Sequence, residues 1–455
     1  MKLKRFQGLK INGYLDIEIP SFEMLTFVTG INGSGKTTVL NSIIALLLPR
    51  IDFLSTHEFE LIEIEFNDGD RDVQLSAKRE GKDTILFCSV IEESLKIVPF
   101  APDPDLPAYR IEEYETDYYR DFFSSHIETK MLAFLLDLPT PMYLGLDRRM
   151  IGSDDSSRYV RRPPSNSRRP VRRNIFSASL RESLGEALFF TERRYRDANL
   201  SKSRFDEEFQ KDMILDLIDL PPISFSREFR QPSSADLRRL KSAKENLSRL
   251  PQLIRISESD VMEKLNPLFL FLDERASILH RSRRNNKAPI SPDSPEFSAL
   301  VDWQFNKTHI DKINNLSEII SSYNAKVDAE FLDIEAFLKS INGFMADSGK
   351  TIVFDKGGSL RFSMGDKNDG RPLSTMSSGE IQLFVILAHL HFNPEASNAG
   401  IFIIDEPELS LHVQWQEKFV DEIMRAAPNL QFILATHSPS IILEKTDNCF
   451  DISIK

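Results

Sequence analysis

The residues Gly30-Ile31-Asn32-Gly33-Ser34-Gly35-Lys36-Thr37 fit the spacing G-x-x-x-x-G-K-[ST] in full. Glycines at these positions let the backbone curl so that successive N–H groups point at one anion. A helix opening directly afterwards adds its free N–H groups and the positive end of its dipole. Lys36 can reach the outer phosphates of a nucleoside triphosphate, and the Thr37 hydroxyl suits Mg²⁺. Gly30, Asn32, Gly33, Ser34, Gly35, Lys36, Thr37 and Thr38 are therefore the candidate phosphate cradle. The bland alternative is a Gly-rich turn with a chance Lys-Thr. The flanks argue against it. "EMLTFVT" reads as a buried strand, and "TTVLNSIIALLL" reads as a helix without a breaker before Pro49.

Three later stretches carry complementary chemistry. "IFIIDE" (401–406) is an apolar strand that delivers Asp405 and Glu406 to its carboxyl end. Ligands bind at that edge of a parallel sheet. Asp405 can hold the Mg²⁺ shell, and Glu406 can orient or deprotonate an attacking water. "MSSGE" (376–380) is a Ser/Gly turn opening a helix, with Ser377, Ser378 and Gly379 at its N-terminus. "ATHSP" (435–439) places His437 just after a second buried strand. Taken alone, an acid pair after a strand is often a cap, and a lone histidine is usually structural. Their order along the chain, together with the phosphate loop, makes them candidates for one site.

These elements need a scaffold. The first 150 residues read as mixed α/β. A strand pair spans "RFQGLKINGYLDIEIP", three strands with an Asp68-Gly69 turn follow the phosphate-loop helix, and a helix at "KMLAFLLDL" precedes a short strand at "MYLGL". Residues 151–176 form an Arg-rich loop. The stretch 147–173 holds nine arginines against three aspartates, with three prolines. It reads either as a solvated linker or as a phosphate-binding arm for DNA, RNA or an acidic surface. Residues 177–344 show apolar spacing of three and four and read as a helical insertion. Residues 345–455 return to α/β. The phosphate loop has too few strands around it for a sheet of its own, so the expected fold class is α/β: one nucleotide-binding head split by a mostly helical insertion.

Composition bounds the rest. The chain has 455 residues and a net charge of −12, so it is not basic throughout. No apolar run reaches membrane-spanning length, and "MKLKRFQGLK" lacks a signal-peptide core. Cys88 and Cys449 have no metal-ligand spacing and form no disulfide framework. A cytoplasmic protein with no membrane partner is expected.

The motif set resembles the ABC/SMC-type ATPases, in their RecF/OLD-like branch of AAA-family proteins. "MSSGE" is similar to the Leu-Ser-Gly-Gly-Gln signature, with Met, Ser and Glu as departures. "DEPELSLH" (405–412) and "THSP" are very similar to that branch. The resemblance implies ATP and Mg²⁺ as ligands. It also implies His437 as a switch residue at the γ-phosphate, and Ser377, Ser378 and Gly379 closing the site of another copy. One head per chain then requires at least a dimer. OLD nucleases carry a Toprim domain after the head. The sequence reaches Lys455 soon after His437, so no nuclease domain in cis is expected. Short members without one resemble the PtuA-type ATPases of two-component Septu anti-phage systems, which implies an HNH-type nuclease partner. The alternative is a RecF/SMC-like repair ATPase acting on DNA. A Q-loop glutamine is missing, and Asp147 or Arg148 stands near its place, which implies slow hydrolysis or ATP sensing.

Overall fold

The computed structural model describes residues 1–69, 71–102, 108–145, 150–151, 180–219, 231–254, 257–285, 291–365, 370–394 and 396–452. Apart from Met150–Ile151, the Arg-rich segment, with Asp147 and Arg148, lies outside the described residues. The chain divides into two compact units: Met1–Arg194 with Asp333–Lys455, and Tyr195–Leu332.

The first unit is built on a six-stranded sheet drawn from both ends of the chain. Its strands run in the order Cys449–Asp451, Leu25–Thr29, Gln431–Ala435, Ile401–Asp405, Met142–Leu144 and Met150–Ile151. The first five are parallel, and the last is antiparallel to its neighbour. The strands "IFIID" and "QFILA" are buried at every position. A continuous apolar run is what a parallel strand covered on both faces requires.

A second sheet is antiparallel, in the order Leu15–Ile19, Lys2–Ile11, Leu61–Asp68, Arg71–Glu80, Asp83–Cys88 and Leu95–Ile97. Its alternating pattern is plain in Leu15, Ile17 and Ile19, which are buried while Asp16 and Glu18 are exposed. The phosphate-loop helix Lys36–Leu47 shares one core with both sheets: Val39, Leu40 and Ile43 pack in a cluster that holds Ile62 and Phe66 as well as Ile403 and Ile433. Gln431 staples this arrangement. Its Oε1 accepts from Leu3 N at 2.7 Å, and its Nε2 donates to Leu3 O at 2.9 Å and Glu23 O at 3.1 Å.

Several elements of this unit are absent from the sequence reading, among them the helices Ile51–Thr56 and Val413–Ala426, the strand Cys449–Asp451 and two more. The strand Leu95–Ile97 is only three residues long. The helix Ala108–His126 is rich in aromatic residues and also holds Asp, Ser and Thr, all weaker helix formers. Tertiary packing sustains it. Tyr119 and Phe123, four residues apart, are buried, and Tyr119 OH lies 2.5 Å from Ser55 Oγ and accepts from Phe100 N at 3.1 Å. A hairpin of Lys350–Phe354 and Leu360–Met364 with the short strand Arg371–Pro372 makes a third sheet.

The second unit is helical. Leu240, Leu247, Phe269, Leu272, Leu300, Trp303, Ile313 and Ile320 form its core. Two 39-residue helices, Leu180–Ile218 and Lys307–Met345, enter and leave it. The helix Pro295–Phe305 was not anticipated either. Ser294 caps it by accepting from Phe297 N, and Pro295 occupies its first turn. The fold class is thus mixed α/β with a parallel sheet and a helical insertion.

Candidate nucleotide site

Three strands of the parallel sheet end side by side. Leu25–Thr29 runs into the phosphate loop, Gln431–Ala435 into Thr436 and His437, and Ile401–Asp405 into Glu406. The strand leading to His437 lies between the other two, so the sheet order itself brings the three segments to one edge.

The phosphate loop needs its glycines. Gly30 has φ +153°, and a Cβ there would crowd Ser34 Oγ; Gly35 has φ +99° and would run into the Leu15 side chain. Lys36 opens the helix with only 5 % of its side chain exposed. Its Nζ donates to Gly30 O at 3.0 Å and lies 3.5 Å from Glu406 Oε1. Ser34 Oγ is buried without a partner. Asn32 and Gly33 are exposed, and Thr37 and Thr38 are half-buried. A cradle with an orphaned hydroxyl and an ammonium resting on backbone carbonyls fits a phosphate chain.

Asp405 is 3 % exposed, and neither carboxylate oxygen has a hydrogen-bond partner in bonding geometry. Burial lifts its pKa to about 6. The nearby Thr37 hydroxyl opposes that shift, and Glu406 and Glu408 add to it. A buried, unpartnered carboxylate beside a threonine hydroxyl fits a divalent cation such as Mg²⁺. Glu406 sits in the left-handed region, φ +48°, while its N–H still donates to Ala435 O at 2.9 Å. A non-glycine residue held there is strained, as functional turns often are.

His437 is half exposed, and its Nδ1 lies 2.7 Å from Glu406 Oε2. It also lies 3.1 Å from Glu408 Oε1. Ligand atoms of Glu406, Glu408 and His437 all fall within 4.8 Å of one another, close enough to share a cation. Glu408 is the residue that sequence reasoning passed over. It stands inside "DEPELSLH", but its partners lie 28 and 29 residues downstream on the neighbouring strand.

Ser377, Ser378 and Gly379 begin the helix Ser378–Phe392. Ser377 and Glu380 form a reciprocal capping box. Both serines are exposed and Gly379 is buried. A Cβ at Gly379 would collide with the carbonyl oxygen of Ser410, so this helix end sits against the loop that follows the acid pair. Glu380 pairs with Lys350 at 2.7 Å. Burial pushes its carboxyl up, but Lys350 and the Ser377 N–H outweigh that and hold it below its usual value.

A glycine-rich loop between a parallel strand and a helix, facing a buried acid pair at the same sheet edge, defines a P-loop ATPase of mixed α/β type. The chain belongs to the family described as "AAA domain, putative AbiEii toxin, Type IV TA system", which it matches over residues 25–444. It is 28 % identical over 199 residues to "Retron Vc95 probable ATPase" of Vibrio cholerae serotype O1 biovar El Tor, covering 41 % of this chain and 38 % of that protein. It is 33 % identical over 86 residues to "Retron Ec83 probable ATPase" of Escherichia coli, covering 17 % and 16 %. The chain thus aligns with well under half the length of these two curated relatives. Among solved structures it is similar to the Smc head domain with an extended coiled coil, bound to the C-terminal domain of ScpA, from Pyrococcus furiosus. The identity is 13 % and the TM-score 0.37, over 99 % of this chain and 93 % of that one. No helix among the described residues is long and apolar enough to cross a membrane.

Proposed function

We propose that the chain binds and slowly hydrolyses ATP with Mg²⁺, that two copies close around nucleotide, and that this assembly governs a partner nuclease of HNH type in anti-phage defence. The observation that carries the reading is the meeting of Lys36, Glu406 and His437 at one sheet edge beside the unpartnered carboxylate of Asp405. Lys36 and the backbone N–H groups of the loop and the helix N-terminus hold the phosphates. Thr37 and Asp405 hold Mg²⁺, which when bound neutralises charge developing on the phosphate oxygens. Glu406 orients the water and accepts its proton, and His437 contacts the terminal phosphate. Ser377, Ser378 and Gly379 complete the pocket of the second copy, their helix N-terminus facing its phosphates. The exposed serines suit that role.

The defence role draws its support from relatives named as retron ATPases and from the likeness of "DEPELSLH" and "THSP" to the RecF/OLD-like branch. The cytoplasm is the compartment that role requires. A second reading, a RecF/SMC-like ATPase acting directly on DNA, is favoured by the nine arginines of residues 147–173.

The test is ATP binding, turnover and association state. Lys36→Ala should lose ATP binding, and Glu406→Gln should retain it while accumulating an ATP-dependent oligomer. Normal ATP affinity in Lys36→Ala would defeat the site assignment. Copurification from the native operon separates the two cellular readings: a small HNH protein supports the first, and salt-sensitive DNA binding without one supports the second.

A further inference from the structure

We propose that Glu408 is the positioning residue of this site, a buried carboxylate that locks His437 against Glu406; the proposal rests on the reading of those two residues as hydrolytic groups. Glu408 is 8 % exposed. Its Oε1 accepts from the Thr436 hydroxyl at 2.7 Å and from the His437 N–H at 3.0 Å. The same oxygen lies 3.1 Å from His437 Nδ1. One carboxylate oxygen therefore grips the backbone and the neighbouring side chain of the switch turn, close beside its ring.

Thr436 extends the grip. It is fully buried, donates to Glu408, and accepts from Ser438 N at 3.0 Å. Gln416 makes a second strap between the same two segments. Its Oε1 accepts from Ser438 Oγ at 2.7 Å, and its Nε2 donates to Leu411 O at 2.9 Å. The loop after the acid pair and the turn after the adjacent strand are thus tied at both levels.

The chemistry of the ring follows from its neighbours. Nδ1 lies 2.7 Å from Glu406 Oε2, and a proton on that nitrogen serves the contact to Glu406. Glu408, through the turn it holds, fixes the ring where its Nδ1 meets Glu406. A turn held only by backbone would leave the ring free to rotate away from Glu406.

The experiment is a double-mutant cycle with ATP turnover and affinity, together with ¹⁵N–¹H NMR of the ¹⁵N-histidine-labelled full chain. Glu408→Gln should lower kcat roughly 10- to 100-fold while the ATP dissociation constant stays within about threefold. In a His437→Ala background the same change should lower kcat less than about threefold, because its effect runs through the ring. Thr436→Ser should keep turnover and Thr436→Val should lose it. Equal losses from Glu408→Gln in both backgrounds would overturn the proposal. So would an Nδ1-protonated His437 that is unchanged in Glu408→Gln. Wild-type turnover in Glu406→Gln would instead refute the hydrolytic reading, and the tautomer measurement would still decide whether Glu408 holds the ring.

Discussion

The acid pair shows how a single buried carboxylate can oppose the fold that contains it. Asp405 has no hydrogen-bond partner in bonding geometry, and its pKa rises from 3.8 to about 6. Between those values the folded chain keeps a proton that the unfolded chain releases. Stability therefore falls as pH rises from about 4 through 6, and the deficit persists above that. Asp405→Asn removes the charge and keeps the shape. In Mg²⁺-free protein it should raise stability by about 1–3 kcal/mol near pH 7.5 and leave it nearly unchanged near pH 4. Thermal unfolding at the two pH values measures this. A variant no more stable than wild type at the higher pH would contradict it. The same substitution should abolish any further stabilisation by Mg²⁺–ATP. Asp405 was legible from "IFIIDE" because strand and acid are contiguous in sequence. Glu408 was not, because its role is written in Thr436 and His437, in the turn after another strand.

At the scale of elements, the helix Ser378–Phe392 is buried on almost every face. A helix buried on almost every face has no freedom to slide, so its N-terminus is fixed against Ser410 through Gly379. Gly379→Ala should push the 405–412 loop aside. We expect a loss of about 1–3 kcal/mol, with a fall in turnover larger than the fall in ATP affinity. Melting temperature and kinetics check both; an alanine variant with wild-type stability would show that the approach is not close. The parallel strands Leu25–Thr29, Ile401–Asp405 and Gln431–Ala435, the 39-residue helices and the phosphate-loop helix were readable from continuous runs or sustained period. The helix Ala108–His126 was hidden because tertiary burial of Tyr119 and Phe123 overrides weak local propensity. Pro295–Phe305 was hidden by its brevity, although its Ser-Pro start was a usable signal.

At the scale of the molecule, the first strand, Lys2–Ile11, is bound to the late strand Gln431–Ala435 through one side chain. Gln431→Leu keeps the volume but strands the Leu3 N–H and its carbonyl away from water. It should lower stability by about 1–3 kcal/mol. Hydrogen exchange at the Leu3 amide should accelerate out of proportion to the core amides; protection equal to wild type would show that the staple is not needed. The sheet order has a further result for biosynthesis. The strand Leu25–Thr29, which feeds the phosphate loop, has both of its neighbours at 431–435 and 449–451. A ribosome adding about 5–20 residues per second leaves that strand unpaired for roughly 20–80 s. The nascent chain must therefore wait for residues 401–451 before it can grip a nucleotide, and until then its apolar edge is exposed to chaperones.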